Sequence, residues 1–350
     1  MVHTLCKRLY LFILFLLTPN ILVSQNKEVL LSSENHDPSF RGKESMRIVF
    51  YNVENLFDIY NDSLTLDDEF LPFQGRFWNK SKFETKIQRI SQAIIAIGGW
   101  EPPALVGLCE IENRYVLNSI VHFSILRSAE YNIIHKDSPD KRGIDVALIY
   151  RKEKFDLLEY NFYEIKFPFD SASKTRDILY ARGVLSNQDT LSYLVNHWPS
   201  KFGGEIETAP KRLYASEVLG QLIDSLAGAH HNDQFVIAGD FNDNPSSYSI
   251  QSLLKNRPLI NLMDQSEFKY GTNSFENKWY MIDQLIVSEQ LVSNNNSTFL
   301  KHKRAFIFNE DFLLTEGVAG NKRPFRTYQG PAYLGGFSDH LPIYLDLILR

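Results

Sequence analysis

Cysteine is scarce in this chain, and basic side chains are not in excess. The 350 residues include two cysteines, Cys6 and Cys109, and 37 basic against 42 acidic side chains, which gives a net charge of −5. The cysteine count excludes a fold that depends on a framework of disulfides. The charge argues against a tight, sequence-indifferent binder of nucleic acid, because such proteins are usually basic.

The first 24 residues are typical of a secretory signal peptide. Lys7 and Arg8 precede an apolar run over residues 9–17, and the small residue Ser24 closes the segment. The run is shorter than the about 20 apolar residues that a membrane helix needs, so no stable membrane span is expected. We predict cleavage near Gln25 and an exported protein, secreted or periplasmic, with an uncleaved N-terminal anchor as the alternative. The mature chain would keep 35 basic and 42 acidic side chains, a net charge of −7.

The rest of the chain predicts one domain behind a short tether. Residues 25–45 are polar and predict the tether, and residues 46–350 predict a single α/β (α+β) domain with mixed or antiparallel sheets. Apolar residues at helical spacing predict helices over 80–97, 114–127, 210–226 and 246–254. Strands are predicted over 47–53, 104–109, 131–135, 145–150, 178–185, 190–196, 234–238, 281–287 and 341–349.

Polar side chains stand at the ends of several apolar runs, where a scaffold presents a site. They are Asn52, Glu110, His197, Asp240, Asn242, Asp339 and His340. A carboxylate at the end of a buried strand, such as Glu110, is a good ligand for Mg²⁺, which prefers oxygen, although Glu112 is close enough to confuse the assignment. Asp283 lies inside an apolar run, where an acid is costly unless it is paired.

Each of these residues also fits an ordinary structural role. Glu110 alone fits a surface acid, and His197 alone fits a structural histidine. Asp240 and Asn242 fit a turn. The adjacent residues Ser338-Asp339-His340 cannot form a serine-protease triad, because triad side chains converge from separate places. The absence of a His-Glu-x-x-His motif argues against a zinc protease.

Taken together and in this order, the residues resemble the motifs of one superfamily. The motifs are Tyr51-Asn52-Val53-Glu54-Asn55, Leu108-Cys109-Glu110, Asn196-His197, Gly239-Asp240-Phe241-Asn242, Ile282-Asp283-Gln284 and Ser338-Asp339-His340. They resemble the endonuclease/exonuclease/phosphatase superfamily, which includes deoxyribonuclease I, neutral sphingomyelinases and inositol polyphosphate phosphatases. The resemblance spans residues 46–349 and implies a four-layer sandwich of two packed mixed β-sheets flanked by helices, with a site at one edge.

The resemblance also implies a metal site. Glu110 would be the principal ligand of Mg²⁺ or Mn²⁺, with Asn52 and Asp339 beside it. Such a cation would neutralise the phosphate and stabilise the charge that develops on the leaving oxygen.

The remaining motif residues receive catalytic roles by the same resemblance. Asp240 would position or deprotonate the attacking water, and Asn242 would hold a phosphoryl oxygen. His340 would contact the phosphate, while Asp283 would fix its ring and favour the imidazolium. His197 matches the histidine of deoxyribonuclease I that is placed to protonate the leaving group.

The segment that follows His197 suggests the substrate. Residues 196–204 are similar to a stretch of secreted bacterial members that are labelled as nucleases, and Lys201 with its glycine pair could cradle a backbone phosphate. Arg176 and Arg182 flank a strand near the motifs and are further phosphate contacts by this reasoning. We therefore expect an exported nuclease that acts on DNA, or also on RNA.

Other functions stay open at this point. A phosphatase or a lipid phosphodiesterase, of the inositol phosphate or sphingomyelin type, would use the same metal site, and the acidic mature chain favours a small or lipid substrate. A binding module without catalysis is a third class, and the complete set of acids, amides and histidines argues against it. The expected partner is a nucleic acid substrate. Nothing in the sequence indicates a protein partner, so we expect a monomer.

Overall fold

The computed structural model of this chain describes residues 44–264, 268–317 and 320–350. The predicted signal peptide lies outside the described residues, and so does the predicted tether except for its last two residues. Those two, Glu44 and Ser45, begin the first strand, so the fold starts slightly before the predicted boundary at Met46. No helix in the described ranges is long and apolar enough to span a bilayer.

The strands of the described residues form two large sheets and three small hairpins. In chain order the strands are β1 (Glu44–Leu56), β2 (Leu105–Ile111), β3 (Tyr131–His135), β4 (Asp145–Arg151), β5 (Asp156–Tyr163), β6 (Ile178–Val184), β7 (Thr190–His197), β8 (Gln234–Asp240), β9 (Leu259–Asn261), β10 (Asn273–Phe275), β11 (Lys278–Tyr280), β12 (Asp283–Ser288), β13 (Thr298–Leu300), β14 (Phe306–Ile307), β15 (Leu314–Glu316), β16 (Lys322–Pro324), β17 (Tyr328–Gln329), β18 (Ala332–Tyr333) and β19 (Ile343–Leu349).

Both large sheets are mixed. The first has the order β13-β19-β1-β2-β4-β3, with β14 also paired to β19, and the second has the order β5-β6-β7-β8-β12-β9. The pair β1/β2 is parallel in the first sheet, and the pair β7/β8 is parallel in the second. Every other neighbouring pair in the two sheets is antiparallel. The hairpins are β10–β11, β15–β16 and β17–β18.

Within the described ranges, four α-helices flank the sheets: α1 (Lys80–Gly98), α2 (Arg114–His122), α3 (Glu205–Ala229) and α4 (Tyr248–Leu254). Side chains at the start of two of them satisfy backbone N–H groups that have no partner inside a helix. Asn79 accepts from Lys82 N before α1, and Asn113 accepts from Val116 N before α2. Short 3₁₀ helices occupy Asp68–Phe70, Ile125–Ala129, Glu289–Val292 and Asp311–Leu313.

Successive side chains of a strand point to opposite faces of the sheet, and this alternation produces four layers. On β1, Ile48 and Phe50 join the core between the sheets, whereas Val49 and Tyr51 join a second core that contains the apolar faces of α1 and α2. A third core packs α3 and α4 on the outer face of the second sheet. Because both faces of each sheet are covered, the central strands are almost continuous apolar runs. The four-layer sandwich of two mixed sheets flanked by helices is therefore confirmed.

The two sheets approach each other closely at a glycine of β2. A β-carbon at Gly107 would lie 2.5 Å from the hydroxyl oxygen of Tyr193, on β7 of the other sheet. That hydroxyl donates a hydrogen bond to the carbonyl of Val49 at 3.0 Å. Only glycine leaves room for this buried bridge, which fixes the spacing of the sheets next to the site.

Strand direction brings the motif residues to one edge of the sandwich. The parallel pairs β1/β2 and β7/β8 carry Asn52, Glu110, His197 and Asp240 at or near their C-terminal ends. Strands β12 and β19 run the opposite way and begin at the same edge. Asp283 therefore pairs with Asp240 across β12 and β8, and Ser338-Asp339-His340 lies just before β19.

Several element boundaries differ from the predicted ones. Helix α3 begins at Glu205, five residues before the predicted start at Pro210, which lies inside the helix. The helix predicted over 114–127 ends at His122, and a separate 3₁₀ helix follows from Ile125. Strand β5 was not predicted, because it is a largely exposed edge strand without the apolar alternation of a half-buried one.

Candidate catalytic site

Asn52 joins the two sheets at this edge. Its Nδ2 donates to Glu110 Oε1 at 3.1 Å within the first sheet and to Asp240 Oδ2 at 3.0 Å on the second. His197 Nε2 lies 3.7 Å from Asp240 Oδ2 and 3.9 Å from Glu110 Oε1. These four side chains form one cluster, although Asn52 and Asp240 are 188 residues apart in the chain.

The backbone is irregular where it presents Glu110. Glu110 has a φ of 62°, and the pairing register of β2 shifts between Cys109 and Ile111. Left-handed backbone of this kind costs about 1–3 kcal/mol in a residue with a β-carbon and is concentrated at functional sites. The backbone N–H of Asn55, itself at a φ of 47°, donates to Glu110 Oε2 at 2.7 Å. Glu112 instead accepts the N–H of Asp58, so Glu110 is the acid of the cluster.

Asp283 and His340 form a buried pair beside this cluster. His340 Nδ1 lies 2.7 Å from Asp283 Oδ2, and both side chains are less than a tenth exposed. Burial alone would lower the pKa of His340, but the charge of Asp283 and its hydrogen bond raise that pKa well above its ordinary value. The raised pKa favours the imidazolium form of His340 within this pair.

Asp240 has the environment of a general base. Its Oδ1 accepts the backbone N–H of Asn242 at 2.9 Å, and Asn242 has a φ of 51° that brings this N–H back toward the strand end. Burial, and then the charge of Asp283, raise the pKa of Asp240 to about 7. A carboxylate with this pKa can accept a proton from water near neutral pH.

His197 differs from His340 because no carboxylate holds its ring. Its Nδ1 is buried and has no hydrogen-bond partner among the described residues. Burial, followed by the charges of Arg176 and Arg142, lowers the pKa of His197 well below its ordinary value. The imidazole is therefore neutral at neutral pH, and its surroundings argue against the role of leaving-group acid that the sequence suggested.

Arg176 supports the site from inside the protein. Its side chain is buried, pairs with Asp140 at 3.0 Å and donates to the carbonyl of Trp198. The same carbonyl accepts Nδ2 of Asn242 at 3.0 Å. Arg176 thus fixes the turn after His197, and its burial does not fit the contact with substrate phosphate expected from the sequence.

The other two predicted phosphate contacts lie in different places. Lys201 is at the rim of the site, where it pairs with Glu205 and lies 3.4 Å from Asp243 Oδ1. Arg182 pairs with Asp233 at 2.7 Å and stands opposite Ser192, five residues before His197 on β7. The expectation for Arg182 is therefore wrong, because its position along β6 places it toward the opposite end of the sheet.

The donor set of the cluster fits a hard divalent cation. Glu110, His197 and Asp240 offer ligand atoms within 4.8 Å of one another, and Asp240 belongs to a second such group with Asp283 and His340. Carboxylate oxygens predominate in both groups, which suits Mg²⁺ or Mn²⁺. The neighbouring thiol of Cys109 is fully buried and belongs to neither group.

Two of the predicted ligands are otherwise engaged. Asn52 turns its amide nitrogen toward the carboxylates, while its Oδ1 accepts the backbone N–H of Glu54 at 3.0 Å. In this orientation Asn52 holds Glu110 and Asp240 together, and its oxygen is not turned toward a cation site. Asp339 Oδ2 pairs with Arg326 Nη2 at 2.9 Å. Glu110 is thus the predicted ligand that the structure places within a group able to hold a cation.

Three charged residues beside the site received no role from the sequence, although Glu54 stands in one of the quoted motifs. Glu54 is buried and pairs with Arg326 at 3.3 Å, and the buried Nζ of Lys86 lies 3.7 Å from Glu54. A signal for Lys86 was present, because a lysine three residues after Phe83 falls on the apolar face of α1. No local pattern marks Arg326, whose partners come from distant segments.

The same region of the chain matches a known family. Residues 47–348 match the model of the Endonuclease/Exonuclease/phosphatase family. The chain belongs to this family. Membership in the endonuclease/exonuclease/phosphatase family makes the chain a hydrolase of phosphoester bonds. No curated protein shows significant similarity to the chain.

Solved structures of the endonuclease/exonuclease/phosphatase family share the fold. A family protein from Bacteroides thetaiotaomicron has 15% identity and a TM-score of 0.57, covering 88% of this chain and 99% of that chain. Humanized D. rerio TDP2 has 14% identity and a TM-score of 0.56, covering 87% and 98%. A B. thetaiotaomicron mannosyl-6-phosphatase has 16% identity and a TM-score of 0.55, covering 87% and 100%. At these identities the likeness shows the fold and not the substrate.

Proposed function

We propose that this chain is a phosphodiesterase that depends on a divalent cation and cleaves nucleic acid, with DNA as the principal substrate. The observation that carries the proposal is the buried cluster in which Asn52 links Glu110 to Asp240 beside the Asp283–His340 pair. It combines a base, an imidazolium and an oxygen-rich cation site within one edge of the sandwich. Export of the chain, predicted from residues 1–24, remains a prediction.

The residues of the cluster have separate roles in the hydrolysis of a phosphodiester. Asp240 accepts the proton of the attacking water, and its pKa of about 7 suits that role near neutral pH. The imidazolium of His340, fixed by Asp283, donates to a phosphoryl oxygen. A divalent cation at Glu110 would neutralise the phosphate and stabilise the charge that develops on the leaving oxygen.

Two further side chains hold this arrangement in place. One Nδ2 hydrogen of Asn242 binds the carbonyl of Trp198, and the second is available to a phosphoryl oxygen. The neutral imidazole of His197 packs beside both carboxylates, with Nε2 3.9 Å from Glu110 Oε1 and 3.7 Å from Asp240 Oδ2.

Exposed aromatic side chains on three segments that lead from motif residues favour a substrate with unpaired bases. Phe202 follows Lys201 and is 93% exposed, Tyr248 begins α4 and is 76% exposed, and Phe275 in the β10–β11 hairpin is 62% exposed. The hairpin is attached to the site, because Asn273 forms a β-bridge with His340. Stacking of a base on an aromatic ring contributes about 1–3 kcal/mol.

A phosphatase or a lipid phosphodiesterase on the same scaffold is the alternative. The residues that act on the phosphoryl group would be the same, and one protein of similar fold is named a mannosyl-6-phosphatase. The exposed rings distinguish the two proposals, since an isolated sugar phosphate has no bases to stack on them.

The proposal is tested by parallel assays of the purified protein with Mg²⁺. Substrates are single-stranded DNA, plasmid DNA, RNA, inositol polyphosphates and sphingomyelin, and cleavage of DNA is the expected result. Phe202→Ala and Tyr248→Ala should each lower kcat/KM on single-stranded DNA about tenfold and spare bis(p-nitrophenyl) phosphate. Trp100→Ala is the matched control, because this exposed ring precedes β2 at the end opposite Glu110. Hydrolysis of inositol phosphates or sphingomyelin without cleavage of nucleic acid would replace the nuclease by the alternative.

A further inference from the structure

A polar cavity of about 90 Å³ adjoins the catalytic cluster. Its lining includes the acid Glu54 as well as Asn55, Arg76, Arg326 and Tyr328. Asn55 also holds Glu110 through its backbone N–H, and Arg326 holds Asp339, so the cavity begins directly behind two motif acids. None of the roles given above to the motif residues uses this space.

We propose that this cavity is a subsite for a second anionic group of the substrate, a phosphate next to the one that is cleaved. The inference deepens the proposed function and rests on it, because a nucleic acid strand carries such a neighbouring phosphate. It specifies an oligonucleotide as the substrate, in preference to an isolated diester.

Arg326 supplies one cationic wall of the subsite. Its Nη2 binds Asp339 Oδ2 at 2.9 Å, and its Nε lies 3.3 Å from Glu54 Oε1. These two contacts fix the plane of the guanidinium and use two of its five N–H groups. The side chain is 35% exposed, so the remaining donors can reach a ligand. A planar guanidinium held in this way suits recognition of phosphate oxygens.

Lys86 offsets the negative charge of Glu54 in the cavity wall that contains Arg326. Its buried Nζ lies 3.7 Å from Glu54 Oε2 and donates to Thr327 and to the carbonyl of Phe337. Lys86 and Arg326 together therefore balance the charges of Glu54 and of Asp339, which Arg326 also binds. Lys86 also ties the segment 327–337 to α1, so that the wall is rigid.

Arg76 supplies the opposite wall of the cavity, and its contacts do not use all of its N–H groups. Its guanidinium lies 4.8 Å over the ring of Tyr328 and binds Glu69 and the carbonyl of Gly330. These two hydrogen-bonding contacts use Nη2 and Nη1, and each of these nitrogens keeps a second hydrogen for an anion in the cavity.

The test compares dinucleotides that differ by one terminal phosphate. Thymidylyl-thymidine, TpT, carries only the scissile phosphate, whereas pTpT and TpTp each carry a second one. We expect kcat/KM for one of the phosphorylated dinucleotides to exceed that for TpT by about tenfold or more, as charge-assisted hydrogen bonds to a second phosphate would give. Arg76→Gln should reduce this ratio toward one. Arg127→Gln is the control of equal charge change, since Arg127 is exposed on the 3₁₀ helix Ile125–Ala129, and it should leave the ratio unchanged.

A binding measurement separates the subsite from catalysis. In excess chelator, thymidine 3′,5′-bisphosphate should bind about tenfold more tightly than thymidine 5′-phosphate, and Arg76→Gln should abolish the difference. Equal kcat/KM for TpT, pTpT and TpTp in the wild type would overturn the subsite while leaving the phosphodiesterase intact. Hydrolysis of none of the three dinucleotides, nor of bis(p-nitrophenyl) phosphate, would instead overturn the proposed function itself.

Discussion

His340 Nδ1 lies 2.7 Å from Asp283 Oδ2 in a pair that is almost entirely buried. The other histidine of the site, His197, has a buried Nδ1 without a partner among the described residues and lies near Arg176. The pKa of His340 is consequently raised and that of His197 is lowered. One edge of the sandwich therefore presents one charged and one neutral imidazole, and the two should respond differently to substitution.

Asp283 and His340 should behave as a unit in catalysis. Asp283→Asn and His340→Gln should each lower kcat on DNA by about a hundredfold or more, and the double variant should lose little beyond that. His135→Gln is the matched control, since His135 and Asp145 form a second buried pair at 3.1 Å outside the cluster. Strictly additive losses in the double variant would show that the two residues act separately.

His197→Ala should lower kcat/KM on DNA and on bis(p-nitrophenyl) phosphate by similar factors. A neutral imidazole beside Glu110 and Asp240 affects the base and the cation site, which both substrates need. A leaving-group acid contributes about 10²–10⁴-fold for a poor leaving group and little for an activated ester. A loss confined to DNA would therefore restore the role of acid that the sequence suggested. Steady-state kinetics on the two substrates decide the matter.

Glu112→Gln should stabilise the protein at high pH only. Burial raises the pKa of Glu112 from 4.5 to about 8, so the folded protein binds more protons than the unfolded chain between these values. The free energy of unfolding contributed by Glu112 therefore falls as pH rises through this window. Thermal denaturation in chelator should show a Tm increase of about 2 °C or more at pH 8.5 and little change at pH 4.5. Exposed Glu217→Gln on α3 is the control, and an equal gain at both pH values would exclude a charge effect.

Gly107→Ala should destabilise the fold by about 1–3 kcal/mol, because the added carbon would press on Tyr193 across the sheets. Urea denaturation measures the loss. The double variant with Tyr193→Phe should lose less than the sum of the single changes, since the hydroxyl that clashes is gone. Gly228→Ala in α3, where a β-carbon meets open space, should be neutral or stabilising. Additive losses at Gly107 and Tyr193 would mean that the sheets do not meet there as described.

Much of the fold could be predicted from the sequence because local rules decide it. Apolar residues at helical spacing between Phe83 and Ile97 predict helix α1. Both faces of the central strands are buried, so these strands read as long apolar runs. The motif residues could be found because they follow those runs. Strand β5 could not, since an exposed edge strand has no apolar pattern to detect.

The environment of the site residues could be predicted less well from the sequence. Whether Arg182 faces the substrate depends on how far along β6 it stands, and pairing with Ser192 puts it far from His197. The lowered pKa of His197 depends first on its burial and then on the charges of Arg176 and Arg142, which come from other segments. Arg326 gains its position from Glu54, 272 residues away. Such relationships arise only when the chain is folded.

The central claim is that Glu110 holds a divalent cation needed to cleave phosphodiesters. Cleavage of single-stranded DNA should be measured across a series of Mg²⁺ concentrations for the wild type and for Glu110→Gln, with the exposed Glu217→Gln on α3 as the control. The account predicts no cleavage in excess chelator, restoration by Mg²⁺ or Mn²⁺, and a loss of about a hundredfold or more in Glu110→Gln at saturating Mg²⁺. Full activity of the wild type in chelator, or of Glu110→Gln at any Mg²⁺ concentration, would contradict it.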